Sequence, residues 1–345
     1  MDIVKELKDI SWQVTEPEYR QDPSYSYSTL ARYEREGFYK LKDLYTHIST
    51  ASLKFGSIVD TLITDAENFN NKYIIADEGK LSESLANITK QLFALYSADY
   101  NTIGEIPDAD ILDVVNENSY SPHWRDVTRI KKVREDCSSY YLLLYAADGK
   151  EIISNDDYIR ATAAVDALKS SPATKHYLEQ DNIFDNRIRR YYQLKFKSVF
   201  DGIPYRCMLD LLYVDYQKKL IIPMDLKTTS KEEGEFYKSF KEWLYTIQAR
   251  LYYRILKDNI SRDPYFKDFT IANFHFIVVN SNHPLGLLWE YPDTKEEGAL
   301  TYKDFVSRDP FDIAAELEYY LKMNPETPIG ISNQSANNLC EWLNK

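Results

Sequence analysis

The strongest constraint on the fold of this chain is a pair of apolar, β-rich runs between residues 205 and 230. The polar segment DYQKK separates the runs, so they predict two neighbouring strands. Asp210 interrupts the first run, and the second run ends in Asp225, Leu226 and Lys227. A charged group inside an apolar strand is costly unless it is paired or binds a metal. We therefore expect a polar site at the ends of these strands.

Side chains alternate along a strand, so Asp225 and Lys227 are predicted to share one side while Leu226 turns toward the core. Two acids and a lysine are typical of a divalent-metal site with a cation beside it, which suits phosphoryl transfer. The alternative interpretation is a buried ion-pair network without catalysis. The residues by themselves leave both interpretations open.

A carboxylate on one strand and an acid-x-Lys on the next resemble the PD-(D/E)xK nuclease superfamily. Gln248 and Tyr252 fit the QxxxY motif of its RecB-type branch, and Gly56 and Asp60 look like the GxxxH helix of that branch. The segment at residues 153–172 is further similar to phage exonucleases of the exodeoxyribonuclease VIII type. These motifs follow one another in the order of the family, from Gly56 to Tyr252, and so cover most of the chain.

The resemblance implies an α/β fold with a restriction-endonuclease-like core, in which helices flank a mixed central sheet. It implies a single nuclease domain over residues 1–345. A motif-free region at about residues 81–180 is expected to be a mainly helical insertion between the GxxxH-like helix and the catalytic strands.

The resemblance also implies roles for individual residues. The expected catalytic residues are Asp210, Asp225, Lys227, Gln248 and Tyr252. The expected metal ligands are Asp60, Asp210, Asp225 and the carbonyl of Leu226. Lys227 would orient the attacking water or stabilise charge on the phosphorane, and the cofactor would be Mg²⁺ or Mn²⁺. Without the resemblance, Gln248 and Tyr252 would be interpreted as polar residues on a helix surface.

The chain departs from the family pattern at three points. Asp60 stands where the family has a histidine, although a carboxylate is also a suitable ligand for Mg²⁺ or Mn²⁺. Gln193 stands where the family often has a glutamate. The cysteine quartet of the iron–sulfur members is absent, so no iron–sulfur cluster is expected.

Five residues are candidate DNA contacts. They are Ser26, Ser28, Arg206, Thr228 and Thr229. The two serines precede the GxxxH-like helix, where capping is the alternative role. Arg206 belongs to a basic cluster that could equally be a solvated surface, and the threonines could simply end a strand.

The formal net charge of −12 argues against a protein that coats nucleic acid over its whole surface, but it leaves room for a local basic groove. No apolar run reaches the length of a membrane span, and the N-terminal segment is too charged for a signal peptide. Three scattered cysteines fit a reducing compartment. We expect a cytoplasmic protein, in the host cytoplasm if it is encoded by a phage.

These observations predict a Mg²⁺- or Mn²⁺-dependent deoxyribonuclease, with an exonuclease in phage-type recombination or repair as the first choice. The alternatives are an endonuclease and a catalytically silent nuclease-fold module that binds DNA or a protein. Linear DNA ends are the expected partner. A single-strand annealing protein and further copies of the chain are candidate partners, and no membrane is expected.

Hydrophobic periodicity predicts the main elements. Strands are expected at residues 191–199, 205–213, 220–228, 274–280 and 287–291. Helices are expected at residues 4–8, 236–256, 312–322 and 337–343, with a loop at residues 15–23. A serine-capped helix is expected to end near Gly37, and Ser49 and Thr50 are expected to open the helix that carries Asp60.

Overall fold

A computed structural model describes residues 5–46, 48, 50–76, 81–182, 184 and 187–323 of the chain. The helix expected at residues 337–343 lies outside the described residues. Contacts between Cα atoms divide the chain into two compact units. The first unit comprises Met1–Thr64 and Ala163–Lys345, and the second comprises Asp65–Thr162.

The described residues form twelve α-helices, besides short 3₁₀ turns. These helices are α1 (Glu16–Gln21), α2 (Tyr27–Glu36), α3 (Ala51–Thr64), α4 (Phe69–Lys72), α5 (Glu83–Tyr96), α6 (Asp108–Glu117), α7 (Asp126–Ala147), α8 (Asn155–Ser170), α9 (Lys175–Leu178), α10 (Phe236–Glu242), α11 (Tyr245–Arg262) and α12 (Pro310–Met323).

Ten strands are present in the same residues. They are β1 (Tyr73–Ile75), β2 (Glu151–Ile153), β3 (Ile188–Phe200), β4 (Ile203–Asp215), β5 (Leu220–Thr229), β6 (Thr270–Ile271), β7 (Phe274–Asn280), β8 (Gly286–Tyr291), β9 (Leu300–Thr301) and β10 (Val306–Ser307).

A mixed six-stranded sheet forms the centre of the first unit. Its order is β3-β4-β5-β7-β8, and β6 also pairs with β5. The pairs β3–β4, β4–β5 and β7–β8 are antiparallel, whereas β5 runs parallel to β6 and β7. The five predicted strands are confirmed as β3, β4, β5, β7 and β8, with ends that differ by up to three residues.

The β3–β4 hairpin turns at Asp201 and Gly202, which both have positive φ, 51° and 79°. Two positive φ angles characterise the type I′ turn, whose twist matches that of the flanking strands. The strands therefore continue to Phe200 and from Ile203, and the turn is shorter than the five-residue loop that the sequence suggested.

Helix α11 packs against the sheet, because its apolar residues recur at helical spacing. Ile247, Leu251 and Ile255 are buried in the same core as Phe276 and Val278 of β7. Helix α3 buries Phe55, Ile58 and Val59. The architecture of the first unit is accordingly a mixed sheet flanked by helices.

Three predicted elements differ in the structure. The helix expected at residues 236–256 is divided into α10 and α11, because Leu244 adopts the left-handed conformation with φ of 55°. The Tyr27 hydroxyl donates a hydrogen bond to the Trp243 carbonyl at this break, 2.6 Å away. An apolar period that continues through the break concealed it in the sequence.

The loop expected at residues 15–23 contains helix α1. Thr15 and Glu18 form a capping box, in which each side chain accepts a hydrogen bond from the other residue's backbone N–H. The short helix expected at residues 4–8 is a 3₁₀ turn at Leu7–Ile10 in the described part of the chain.

The second unit is mainly helical and has its own core. Helices α5, α6 and α7 bury apolar residues against one another, including Ile88, Leu92, Ile111 and Val133. Strands β1 and β2 pair in parallel in the same unit. The insertion expected at residues 81–180 overlaps this unit, whose bounds are Asp65–Thr162.

None of the described helices combines the length and the apolar character that crossing a membrane requires.

Candidate active site

The β4–β5 ladder ends at the pair Leu211 and Met224. Asp210 and Asp225 are the next residues on the two strands, so the two predicted acids flank the point where the strands separate. The Leu226 backbone N–H, which lies beyond the ladder, donates to Asp210 Oδ2 at 2.8 Å. The carboxylate thus occupies the opening between the strands.

Asp225 is almost fully buried and has two partners from the predicted set. Gln248 Nε2 on α11 donates to Asp225 Oδ1 at 2.6 Å. Lys227 Nζ forms an ion pair with Asp225 Oδ2. Alternation along β5 places Asp225 and Lys227 on one side, so their pairing follows directly from the strand.

Lys227 extends into a largely aromatic environment. Its Nζ lies 4.7 Å from the centroid of the Tyr245 ring, within the range of a cation–π interaction. Burial by itself would lower the pKa of Lys227, but Asp225, Tyr245, Tyr27 and Asp210 raise it above its usual value. The ammonium therefore remains charged at neutral pH.

Asp210 carries a strongly perturbed carboxyl group. Burial raises its pKa well above the usual value, and the charges of Asp225 and Asp60 raise it further. Lys227 and the Leu226 N–H oppose this shift. Three carboxylates thus act on one buried region in which Lys227 is the opposing cation.

Asp60 lies on α3 and is held by a residue of the sheet. Gln193 Nε2 donates to Asp60 Oδ1 at 3.1 Å and to Oδ2 at 3.0 Å. Gln193 has φ of 54° within β3, between the paired residues Tyr192 and Leu194. A non-glycine residue in this conformation is strained, and such strain clusters at functional sites.

Gly56, one turn before Asp60, faces the end of β5. A Cβ atom added at Gly56 would lie 3.2 Å from Thr228 Oγ1, which is closer than an ordinary contact. The missing side chain therefore allows α3 to approach the strand that carries Asp225 and Lys227.

Gln248 and Tyr252 share one side of α11, as expected. Gln248 Oε1 is buried and has no hydrogen-bond partner among the described residues. Tyr252 is buried as well, and burial raises its pKa well above the usual value. An unpaired buried acceptor costs about 1–3 kcal/mol, so Gln248 Oε1 is a natural position for a donor from water or a ligand.

The expected DNA contacts lie at two places. Ser26 is buried and its Oγ lies 2.9 Å from that of the exposed Ser28. Ser26 is the N-cap of α2, yet its side chain makes no capping hydrogen bond. Thr228 and Thr229 end β5, where Thr229 Oγ1 accepts from the Lys231 N–H at 3.1 Å.

Arg206 lies close to the Ser26 segment, because its N–H donates to the Tyr25 carbonyl at 2.9 Å. Its guanidinium carbon lies 4.7 Å from the centroid of the Tyr19 ring. The buried atoms Nε and Nη1 have no hydrogen-bond partner among the described residues. A guanidinium with unmet donors is suited to an anionic oxygen ligand.

Several other basic residues form ion pairs with neighbouring acids. Arg190 pairs with Asp181 at 2.7 Å, and Lys197 pairs with Asp22 at 2.6 Å. In the second unit, Arg134 pairs with Asp108 at 2.7 Å. Among the described residues, Arg206 has two buried donor nitrogens without a hydrogen-bond partner, whereas Arg134 has one.

Two residues near the predicted set were not assigned a role from the sequence. Gln193 was noted only as a departure, although its match to a family glutamate position could have indicated contact with the site. Tyr245 lies three residues before Gln248, so the helical period could have placed it beside the same strand. The structure brings both residues to the predicted acids and lysine.

The donor chemistry of the site fits a divalent cation. Asp60, Asp210 and Asp225 supply the hard oxygen atoms that Mg²⁺ and Mn²⁺ prefer, and their mutual charge is what a cation would offset. Among the described residues, however, no group of three or more His, Cys, Asp or Glu side chains already surrounds one metal position. Metal binding would therefore require rearrangement of these side chains.

Comparison with known proteins gives little further information. No protein-family model matches the chain. No curated protein matches it either. The structure is similar to a crystal structure from Eubacterium rectale that is provisionally named an exonuclease, with a TM-score of 0.40 and 11% sequence identity. The match covers 94% of this chain and 88% of that chain.

Proposed function

We propose that this chain is a Mg²⁺- or Mn²⁺-dependent deoxyribonuclease of the PD-(D/E)xK type. The observation that carries the proposal is the convergence of Asp210, Asp225, Lys227 and Gln248 where the β4–β5 ladder ends. The sequence had singled out these residues as site candidates, although they are separated by up to 38 positions. The reaction is hydrolysis of a phosphodiester bond.

Asp60, Asp210, Asp225 and the Leu226 carbonyl would hold the metal. A bound divalent cation would lower the pKa of water and neutralise charge on the phosphate oxygens. Lys227, which remains protonated, would orient the attacking water or stabilise negative charge on the phosphorane. Gln248 orients Asp225 through its amide N–H and leaves Oε1 available.

Arg206 would bind a phosphate outside the cleaved bond, because its Nε and Nη1 lack acceptors in the described structure. Thr228 and Thr229 at the end of β5, and Ser26 and Ser28 at the start of α2, would contact the backbone of the same strand. An exonuclease on linear ends in phage-type recombination or repair remains our first choice, as the sequence resemblance implies.

Degradation of end-labelled linear duplex DNA in Mg²⁺, Mn²⁺ or EDTA, beside the Lys227→Ala variant, tests the proposal. We expect metal-dependent loss of label that the variant lacks. A covalently closed circular substrate in the same reaction separates the two nuclease classes. An exonuclease leaves the circle intact, and an endonuclease cuts it.

A catalytically silent module that binds DNA or a protein is the second candidate. It is favoured by the Lys227–Asp225 ion pair and by the lack of an already assembled metal cluster among the described residues. Absence of cleavage with either metal, on duplex and single-stranded DNA, combined with unchanged DNA binding by Asp210→Ala, would support this candidate over the nuclease.

A further inference from the structure

A cavity of about 410 Å³ lies at the carboxyl ends of β5 and β7, and its lining begins at Thr229, two residues after Lys227 on β5. Lys227 is the register partner of Val278, and Val278 is the partner of Leu287 on β8. Directly paired residues project from the same face of a sheet, and so do residues two apart on a strand. Thr229, Val278 and Leu287, which line the cavity, therefore share one face with Lys227.

The interior of the cavity is mainly apolar. Phe236 and Val278 are buried, and Leu287 is half-buried, whereas Leu285 is 45% exposed at the rim. The lining also includes the polar or charged residues Thr229, Lys231, Glu232, Asn280 and His283. Clefts of roughly 300–1,000 Å³ with mainly apolar walls and a few polar groups are typical of small-molecule binding sites.

Hydrogen bonds of the Asn280 side chain fix part of the cavity wall in advance of any ligand. Asn280 Nδ2 donates to the Lys231 carbonyl at 2.8 Å. Asn280 Oδ1 accepts from the backbone N–H groups of Asn282 and His283, at 2.7 and 3.1 Å. A preformed wall lowers the entropy cost of binding.

We infer that this cavity binds the base of the nucleotide next to the bond that is cleaved. The inference rests on the proposed nuclease function, which places a phosphate at Lys227. A base is attached to its phosphate through a single sugar, and Thr229, which lines the cavity, is two residues from Lys227 on the same face of β5, so the base is the part of the nucleotide that we assign to the cavity. Apolar walls suit the flat faces of a base, and contacts of this kind tolerate all four bases.

The test is a binding cycle with short single-stranded DNA in EDTA, which prevents metal-dependent hydrolysis. Fluorescence anisotropy measures the affinity of wild type and Leu285→Asn for an oligonucleotide with a complete terminal nucleotide, and for one that is abasic there. Leu142→Asn is the matched control, because Leu142 is a 50% exposed leucine in the second unit.

We expect Leu285→Asn to weaken binding of the complete oligonucleotide about tenfold, which is about 1.4 kcal/mol. The variant should leave affinity for the abasic oligonucleotide unchanged, and Leu142→Asn should change neither affinity. Equal loss with both oligonucleotides, no loss with either, or no binding of the complete oligonucleotide by wild type would overturn the inference.

The outcome is separable from that of the nuclease proposal. A base-dependent effect of Leu285→Asn without any metal-dependent cleavage would support the cavity assignment and reject the nuclease. Cleavage by wild type without a base-dependent effect would support the nuclease and reject the cavity assignment.

Discussion

The side-chain amide of Gln193 donates to both carboxylate oxygens of Asp60, at 3.1 and 3.0 Å, and joins α3 to the strand beside Asp210. Gln193 adopts φ of 54° in the middle of β3 while making this contact. The strained backbone and the paired contact together indicate that the position of Asp60 is specified by the sheet.

Replacing Gln193 with glutamate should destabilise the metal-free protein. Gln193→Glu would replace the donor to Asp60 with a second carboxylate. A buried polar group that loses its hydrogen-bond partner reduces the free energy of unfolding by on the order of 1–3 kcal/mol. Thermal unfolding at pH 8 should show a lower Tm than wild type, and Mg²⁺ or Mn²⁺ should restore it. Gln193→Ala is the control, because it loses the contact without adding charge and should respond less to metal. Equal metal responses of the two variants would contradict the expectation.

Asp210→Asn should stabilise the metal-free protein at neutral pH. Burial and the charges of Asp225 and Asp60 raise the pKa of Asp210, so the folded state binds its proton more tightly than the unfolded state. The stability that this proton contributes is present below the usual carboxyl pKa and is lost as pH rises through the raised pKa. Asparagine keeps an acceptor for the Leu226 N–H and removes the charge.

The measurement is urea denaturation of wild type and Asp210→Asn in EDTA between pH 4 and pH 8. We expect the advantage of the variant to increase with pH, while its metal-dependent cleavage falls by at least about 100-fold. A variant that is less stable than wild type across this range would show that the carboxylate is favourably solvated or paired.

Gln248→Leu should remove the buried donor to Asp225 and destabilise the protein by about 1–3 kcal/mol. Asp225 would then keep Lys227 as its side-chain partner and lose the amide that orients its carboxylate. We therefore also expect weaker Mn²⁺ binding, measured by the Mn²⁺-induced shift in Tm. Gln248→Glu is not a suitable control, since it adds charge, but Gln248→Asn tests whether a shorter amide can reach. Unchanged stability in Gln248→Leu would mean that the contact contributes little.

Gly56→Ala should show coupling to Thr228. Alanine favours a helix over glycine by about 0.5–1 kcal/mol, but its Cβ would lie 3.2 Å from Thr228 Oγ1. We expect little net change in the wild-type background and a gain of about 0.5–1 kcal/mol in the Thr228→Ala background. Denaturant unfolding of the four proteins gives the coupling energy. Additive effects would show that α3 does not press on β5 at this point.

The sequence was sufficient to predict the central strands. Alternation and apolar runs identify β3, β4, β5, β7 and β8. The first part of β4 buries every second side chain, whereas β5 and β7 bury consecutive apolar residues. Motif order also selected Asp210, Asp225, Lys227 and Gln248, which the structure brings together. Local patterns succeed here because strand identity depends on neighbouring residues in the chain.

Local patterns did not predict the break between α10 and α11. The left-handed conformation of Leu244 is accompanied by a contact from Tyr27, more than 200 positions away, which satisfies the Trp243 carbonyl. Such a contact adds no periodic signal to residues 236–256. The capping box of α1 was different, since Thr15 and Glu18 were a visible signal that the loop interpretation overlooked.

The amino-acid sequence by itself determined which strands form and which acids and lysine they carry. Only the tertiary structure decided that the β4–β5 ladder opens at Asp210, that Gln193 holds Asp60, and that a cavity lies at the carboxyl ends of β5 and β7. The reason is that side-chain periodicity is a property of adjacent residues, whereas strand register, helix approach and cavity shape arise from packing between distant segments. The raised pKa of Asp210 belongs to the second group, because it depends on burial and on neighbours from two other elements, α3 and β5.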